Sequence, residues 1–246
     1  MIEQTVEIPT RDGKATTFIA HPERGGPHPI VLFFMDAPAI REELRDMARR
    51  IATAGYYVML PNLYYRKGVL ELADLPPLPE AEARARMFEL MGSISIPMVM
   101  SDADALLDYA DRDRAASPGP AAAIGYCMSG QYAINAAARH PERVACAASL
   151  YGVQLVTDAP DSPHLAAQKA DAELYFACAE HDAYAPLEMV QALDASLKQA
   201  GVNAEVEVYR DVHHGFAFPQ RGAVYDKTAA ERHWERLFAL FRRNLG

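Results

Sequence analysis

Buried strand-like runs alternate with helical patterns along most of the chain, and this alternation limits the fold more than any other feature. The run "IVLFFM" at 30–35 is apolar throughout, and residues 40–54 carry apolar side chains at helical spacing. Strands that alternate with helices predict an α/β fold, a mostly parallel sheet with helices on both faces in a three-layer sandwich. Sheets of this kind bind ligands beyond the carboxyl ends of their strands.

The first predicted element is a hairpin, in which "QTVEI" and "TTFIA" flank a turn at Asp12 and Gly13. Residues 66–95 include "LPPLP" after a strand end, which predicts a cap-like excursion within one domain of residues 1–246. Further strands are predicted at 56–61, 121–125, 144–150, 173–179 and 203–209, and further helices at 80–91, 97–110, 129–139, 187–200 and 225–244.

Composition narrows the functional classes. The 246 residues carry a formal net charge of -9, which disfavours nucleic acids and anionic membranes as partners. The three cysteines are widely separated and have no zinc-site spacing, and the first residues have no apolar segment of a signal peptide. We therefore expect a cytoplasmic protein. We also expect a monomer or homodimer that acts on a small molecule and uses no metal or organic cofactor.

A cysteine stands at a predicted corner between a strand and a helix. In "AAAIGYCMSG", Gly125 and Gly130 flank Cys127, and small neighbours let a strand turn directly into a helix. A side chain at such a corner projects above the sheet, and a helix N-terminus favours a thiolate. The pattern predicts a nucleophile, with the N–H of Met128 directed at the bound group. The alternative is a small, buried, apolar cysteine.

A cysteine nucleophile needs a base, and the base needs an acid that orients it. Asp182 follows the predicted strand at 173–179, and His213 and His214 follow the one at 203–209. These positions give the order nucleophile, acid, base that strand-to-helix corners of this type require. Taken singly, the aspartate could be a turn former, and either histidine could be a solvated loop residue.

The stretches "GYCMSG", "AEHDAYAP" and "HHGFAF", with "FFMDAPAIREELRDMARRIATAGYYVMLPNLYYR", resemble the dienelactone hydrolase (carboxymethylenebutenolidase) family of α/β-hydrolases. The resemblance extends from about residue 28 to 245. It implies hydrolysis of an ester or lactone through a cysteine acyl-enzyme, with Cys127 as nucleophile, His214 as base and Asp182 as its orienting acid. His214 is preferred to His213 because the family's histidine directly precedes a small residue and a phenylalanine.

The resemblance also assigns residues around the thiol. Asp36 stands where the family has a glutamate that contacts the resting thiol and controls its ionisation, and the alternative for Asp36 is a helix cap. The amide of Ala37 matches the family's second oxyanion-hole donor, beside the N–H of Met128. On the substrate side the chain departs from the family, because Gly215 and Phe218 replace a serine and an arginine that hold a substrate carboxylate. The residues expected to line the substrate site are Arg84, Tyr151, Phe216 and Phe218.

Two other functions remain open on the sequence. The apolar Phe216 and Phe218 favour a broad carboxylesterase or thioesterase that acts on a neutral acyl substrate. A catalytically silent binding or redox protein could keep the corner thiol. The presence of both Asp182 and His214 argues against this, because a redox sensor needs a reactive thiol but no ordered acid–base pair.

Overall fold

Eight strands and seven α-helices, joined by turns and short 3₁₀ helices, form the protein in a computed structural model that describes residues 1–246. Contacts within the chain divide it into two units, Met1–Pro118 and Gly119–Gly246. The expectation that residues 1–246 form one domain stays a prediction.

The N-terminal unit holds four strands and three helices. Its strands are β1 (Ile2–Thr10), β2 (Gly13–His21), β3 (Ile30–Phe34) and β4 (Tyr57–Pro61), and its helices are α1 (Glu42–Thr53), α2 (Glu80–Gly92) and α3 (Ile96–Ala110). The strands lie in the order β1-β2-β4-β3, with β3 parallel to β4 and the other two pairings antiparallel.

Local sequence signals account for these elements. Thr10 pairs with Gly13 across the hairpin, so the turn consists of Arg11 and Asp12. Every residue of β3 and β4 is buried, which shows that both faces of these strands are covered. The apolar stripe predicted for α1 is confirmed, because Leu44, Ala48 and Ile51 are fully buried.

Helix α2 contrasts with the rest of the unit, because Leu90 is its only buried residue. It follows the proline-rich segment, as predicted, and the cap-like position of residues 66–95 over a site stays a prediction. No single helix has the length and apolar character to cross a membrane, and only the pair α2 and α3, bent by 70°, meets the length and composition test jointly.

The C-terminal unit holds the other four strands and four helices. Its strands are β5 (Ala121–Tyr126), β6 (Val144–Leu150), β7 (Glu173–His181) and β8 (Ala204–His213), and its helices are α4 (Gly130–Arg139), α5 (Pro163–Ala166), α6 (Leu187–Ala200) and α7 (Lys227–Leu245). The strands lie in the order β5-β6-β7-β8 and are all parallel, so their carboxyl ends share one edge.

Helices cover this parallel sheet. All residues of β5 are buried, α4 packs against β5 and β6, and α7 packs against β5, β6 and β7. The prediction of a mostly parallel α/β fold is confirmed.

Strands β7 and β8 are longer than predicted, because β7 continues to His181 and β8 to His213, and these two histidines are paired across the strands. The two strands were predicted from patterns of apolar residues, and their last residues are mostly polar. Backbone pairing does not require apolar side chains, so the strands continue past those patterns.

Candidate active site

The corner at Cys127 has the geometry that its glycines predicted. Cys127 has φ +55°, a conformation that L-residues rarely adopt. It is the first residue of the 3₁₀ turn that joins β5 to α4. A Cβ on Gly125 would overlap the carbonyl of Ser129, and one on Gly130 would lie 2.7 Å from the Cα of Gly152. Only glycine at both positions allows strand and helix to approach so closely.

The three cysteines differ in their surroundings. Cys146 and Cys178 are buried, and burial raises the pKa of each thiol to about 12. These two cysteines are thiols at neutral pH and pack as apolar side chains. Cys127 is partly exposed, so it is the one cysteine that a substrate or an alkylating reagent can reach.

Asp182 directly follows β7 and is held at both carboxylate oxygens. Its Oδ1 accepts hydrogen bonds from the backbone N–H groups of Tyr184 at 2.8 Å and Ala185 at 3.1 Å. Its Oδ2 lies 2.7 Å from Nδ1 of His214, which directly follows β8. The predicted hydrogen bond between Asp182 and His214 is therefore present, and it places the proton of a neutral imidazole on Nδ1.

The other ring nitrogen of His214, Nε2, is buried and has no hydrogen-bond partner. Burial lowers the pKa of His214, while the hydrogen bond to Asp182 and the interaction with Cys127 raise it, and the net result is a pKa of about 9. The thiol therefore lies close enough to the imidazole to act on its pKa. Proton transfer between Cys127 and His214 stays a prediction.

His213 lies apart from this arrangement. It is the last residue of β8, its side chain is exposed, and its ring centroid lies 5.2 Å from that of His181. The geometry favours His214 over His213 as the partner of Asp182.

Three of the residues expected to line the substrate site are buried around His214. Tyr151 is 1% exposed, and its ring meets that of His214 edge-on, with 5.1 Å between the centroids. Phe216 and Phe218 are completely buried and contact the ring of Tyr151. Their burial favours a role in packing, and their contact with substrate stays a prediction.

Two further residues lie beside His214 that sequence reasoning missed. Tyr184 is 46% exposed, and its ring meets that of His214 edge-on at 5.0 Å. The guanidinium of Arg221 lies against Gly215, the residue after His214, and 5.6 Å from the ring of Phe218. The sequence signal for Tyr184 was its position two residues after Asp182. The sequence around Arg221 carried no signal of a place near the site.

In the N-terminal unit, Asp36 is completely buried after β3 and binds an arginine. Arg41 donates from Nη1 to Oδ1 of Asp36 at 2.6 Å and from Nη2 to Oδ2 at 3.1 Å, and it also binds Glu43. Burial lowers the pKa of Arg41, and the two carboxylates more than offset this, so the pKa is raised. Helix α1 has no side-chain cap at Arg41, so Asp36 is not a helix cap. Control of the thiol by Asp36 stays a prediction.

The remaining assigned residues also stay predictions. The carbonyl of Ala37 accepts a hydrogen bond from the hydroxyl of Tyr64 at 2.9 Å, and Met128 is buried at the start of the turn after Cys127. The role of the N–H groups of Ala37 and Met128 as oxyanion-hole donors stays a prediction. Arg84 lies on the exposed α2, with its guanidinium 5.7 Å from the ring centroid of Phe88.

One group of possible metal ligands lies at the ends of β7 and β8. Atoms of Glu180, His181 and Asp211 come within 4.8 Å of one another. The carboxylate of Glu180 is already bound by the side chain of Arg210 and the N–H of Asp211. Neither Asp182 nor His214 is a member of this group.

Comparison with known proteins places this chain in a family. A profile of the dienelactone hydrolase family matches residues 15–245. A Methylorubrum extorquens protein with the provisional name carboxymethylenebutenolidase is 27% identical, over 98% of this chain and 81% of that relative. An Escherichia coli K12 protein of the same provisional name is 28% identical, over 96% of this chain and 84% of its own.

A solved structure of a protein named after the same family has a similar fold. The crystal structure of a protein from Klebsiella pneumoniae, provisionally named dienelactone hydrolase, matches with a TM-score of 0.87 at 26% identity, covering 98% of both chains. The fold is the α/β-hydrolase fold of these enzymes. The chain belongs to the dienelactone hydrolase family.

Proposed function

We propose that this chain, a dienelactone hydrolase-like hydrolase of ester or lactone bonds, works through a triad of Cys127, His214 and Asp182 and a cysteine acyl-enzyme. The observation that carries the proposal is the state of His214. Its Nδ1 is fixed by Asp182, its Nε2 is buried without a partner, and Cys127 acts on its pKa. A nucleophile, a base and an orienting acid in this relation are what thiol-based acyl transfer needs.

In the proposed reaction the thiolate of Cys127 attacks the carbonyl carbon of the ester or lactone, and a tetrahedral oxyanion forms. The backbone N–H groups of Met128 and Ala37 stabilise that charge, and losing one such donor typically costs about 10²–10³ in rate. The C–O bond then breaks, and the imidazolium of His214 protonates the leaving oxygen. A water molecule gives its proton to His214 and attacks the thioester, which releases the carboxylic acid and restores the thiol.

A specific observation bears on the substrate. Arg221 places a guanidinium beside the residue that follows His214, and guanidinium groups bind carboxylates in a bidentate manner. This supports an ester or lactone that carries a carboxylate, although the family's own arginine position holds Phe218. The second candidate, a carboxylesterase for neutral acyl groups, is favoured by the exposed ring of Tyr184 next to His214.

A panel of short-chain chromogenic esters and lactones, each with and without a carboxylate, tests the triad and the preference for a carboxylate substrate. Cys127→Ala should abolish hydrolysis, and Cys146→Ala, which alters a buried thiol away from the corner, is the matched control. Retained hydrolysis in Cys127→Ala would overturn the triad. Arg221→Met should raise KM for the carboxylate substrates only, and an equal effect on both sets would favour the neutral-substrate esterase.

A further inference from the structure

Beneath the corner lies a polar pair that the proposed reaction does not use. The hydroxyl of Tyr126 lies 2.9 Å from Nε2 of His233, and both residues are 0% exposed. Nδ1 of His233 is hydrogen-bonded to the carbonyl of Ala230, which can only accept. Nδ1 therefore carries the proton, Nε2 is the acceptor, and the hydroxyl of Tyr126 donates to it. Both ring nitrogens of this buried histidine are satisfied.

The pair connects the last helix to the nucleophile. Tyr126 is the last residue of β5 and directly precedes Cys127, whereas His233 belongs to α7 and lies 107 residues further along the chain. The backbone at Cys127 is held at φ +55°, which leaves the corner little freedom to absorb a shift of its neighbour. A displaced Tyr126 would therefore displace the thiol.

The same tyrosine also supports the base. The ring of Tyr126 lies 5.7 Å from that of Tyr151, which in turn meets the ring of His214 edge-on at 5.1 Å. Tyr126 also contacts Phe218 at 5.3 Å. Tyr126 therefore supports two parts of the site. It directly precedes Cys127, and its ring packs on Tyr151, whose ring contacts the imidazole of His214.

We propose that His233 is a positioning residue of this enzyme: by holding the hydroxyl of Tyr126 it fixes the corner at Cys127 and, through Tyr151, the ring of His214. The proposal rests on the proposed function of Cys127 and His214. Rate depends on this kind of placement, because a misplacement of about 1 Å far from the reacting atoms can cost on the order of 10²-fold.

The rival explanation is a pair that only stabilises the fold. The double variant Tyr126→Phe/His233→Leu separates the two, because replacing both partners of a buried hydrogen bond by apolar groups of similar shape can be nearly neutral for stability. A purely structural pair then leaves a stable and fully active double variant. A positioning pair leaves a stable but slow one.

The single variants sharpen the test. Tyr126→Phe and His233→Leu should each lower kcat by about 10- to 100-fold with KM nearly unchanged. His233→Gln should stay within about threefold of wild type, because its amide oxygen can accept the tyrosine proton. Leu240→Ala on the same helix, at a residue 1% exposed, should lower Tm and leave kcat unchanged.

The second readout needs no substrate. The rate of Cys127 alkylation by iodoacetamide, followed against pH with the site confirmed by mass spectrometry, should show a displaced profile in Tyr126→Phe, His233→Leu and the double variant. Unchanged kcat and unchanged alkylation profiles, with only Tm lowered, would overturn the proposal. A wild type that hydrolyses no ester or lactone would refute the proposed function, and the alkylation profiles would still decide the role of His233.

Discussion

His214 donates from Nδ1 to Oδ2 of Asp182 over 2.7 Å, and Oδ1 of the same carboxylate is held by two backbone N–H groups. The two backbone hydrogen bonds therefore keep the carboxylate of Asp182 from rotating freely. This carboxylate in turn fixes the tautomer of His214. A buried carboxylate that binds an imidazole in this way also stabilises the imidazolium.

Asp182→Asn should lower kcat for ester hydrolysis by about 10³–10⁴-fold with little change in KM, because the amide favours the wrong imidazole tautomer. Steady-state kinetics on a chromogenic ester measure this effect. Asp171→Asn, at an exposed aspartate in the same unit, is the matched control and should behave as wild type. Equal kinetics for both variants would remove Asp182 from the mechanism.

The raised pKa of His214 makes stability depend on pH. A histidine whose folded pKa is about 9, against about 6.5 unfolded, stabilises the fold fully below pH 6.5 and loses this contribution as pH rises through 9. Urea unfolding of wild type and His214→Gln should show a difference in unfolding free energy that is largest near pH 6 and shrinks towards pH 9. A constant difference would mean that folding does not shift the pKa of His214.

A variant of Asp36 tests whether an aspartate can control the thiol as the family's longer glutamate does. We expect a resting thiol that is mostly protonated and slow to react, so Asp36→Asn should alkylate faster with iodoacetamide between about pH 6 and 9, where a nearby carboxylate opposes thiolate formation. The substitution also breaks a pair with Arg41 and should cost about 3 kcal/mol of stability. Arg41→Met is therefore the control, and equal alkylation rates in Asp36→Asn and wild type would leave Asp36 as a structural ion-pair partner.

Gly125→Ala should disrupt the corner, since the added Cβ would overlap the carbonyl of Ser129. We expect a loss of at least about 2 kcal/mol in unfolding free energy and a large loss of kcat. Gly92→Ala, where an added Cβ meets nothing within 4 Å, should change stability by less than about 1 kcal/mol. Normal activity in Gly125→Ala would show that the corner tolerates a side chain.

Dialysis against a chelator should leave hydrolysis unchanged, because the proposed steps need only protein groups. Glu180, His181 and Asp211 could hold a metal ion, yet Glu180 is occupied by Arg210 and the N–H of Asp211. Dialysis against buffer alone is the control. Activity that is lost with the chelator and restored by zinc would show that a metal takes part.

The sequence by itself determined most of the elements, though not the short α5, and the order of the site residues. Strand β6 was predicted with its observed bounds, and α6 likewise, because apolar periodicity and burial are encoded within a few residues. Cys127, Asp182 and His214 each follow a strand in the required order, and parallel strands bring their carboxyl ends to one edge. Gly125 and Gly130 predicted the corner, because a strand that turns directly into a helix needs small residues beside the turn.

The tertiary structure alone decided which side chains meet. Arg41, five residues from Asp36, binds its carboxylate, whereas the sequence suggested control of the thiol with a helix cap as the alternative. This ion pair depends on how the chain turns after β3. The hydrogen bond between Tyr126 and His233 joins residues 107 apart, and no periodicity within either segment encodes such a contact. Local pattern specifies which residues are buried, whereas the partner of a buried polar group is set by the packing of α7 against the sheet, which only the folded chain creates.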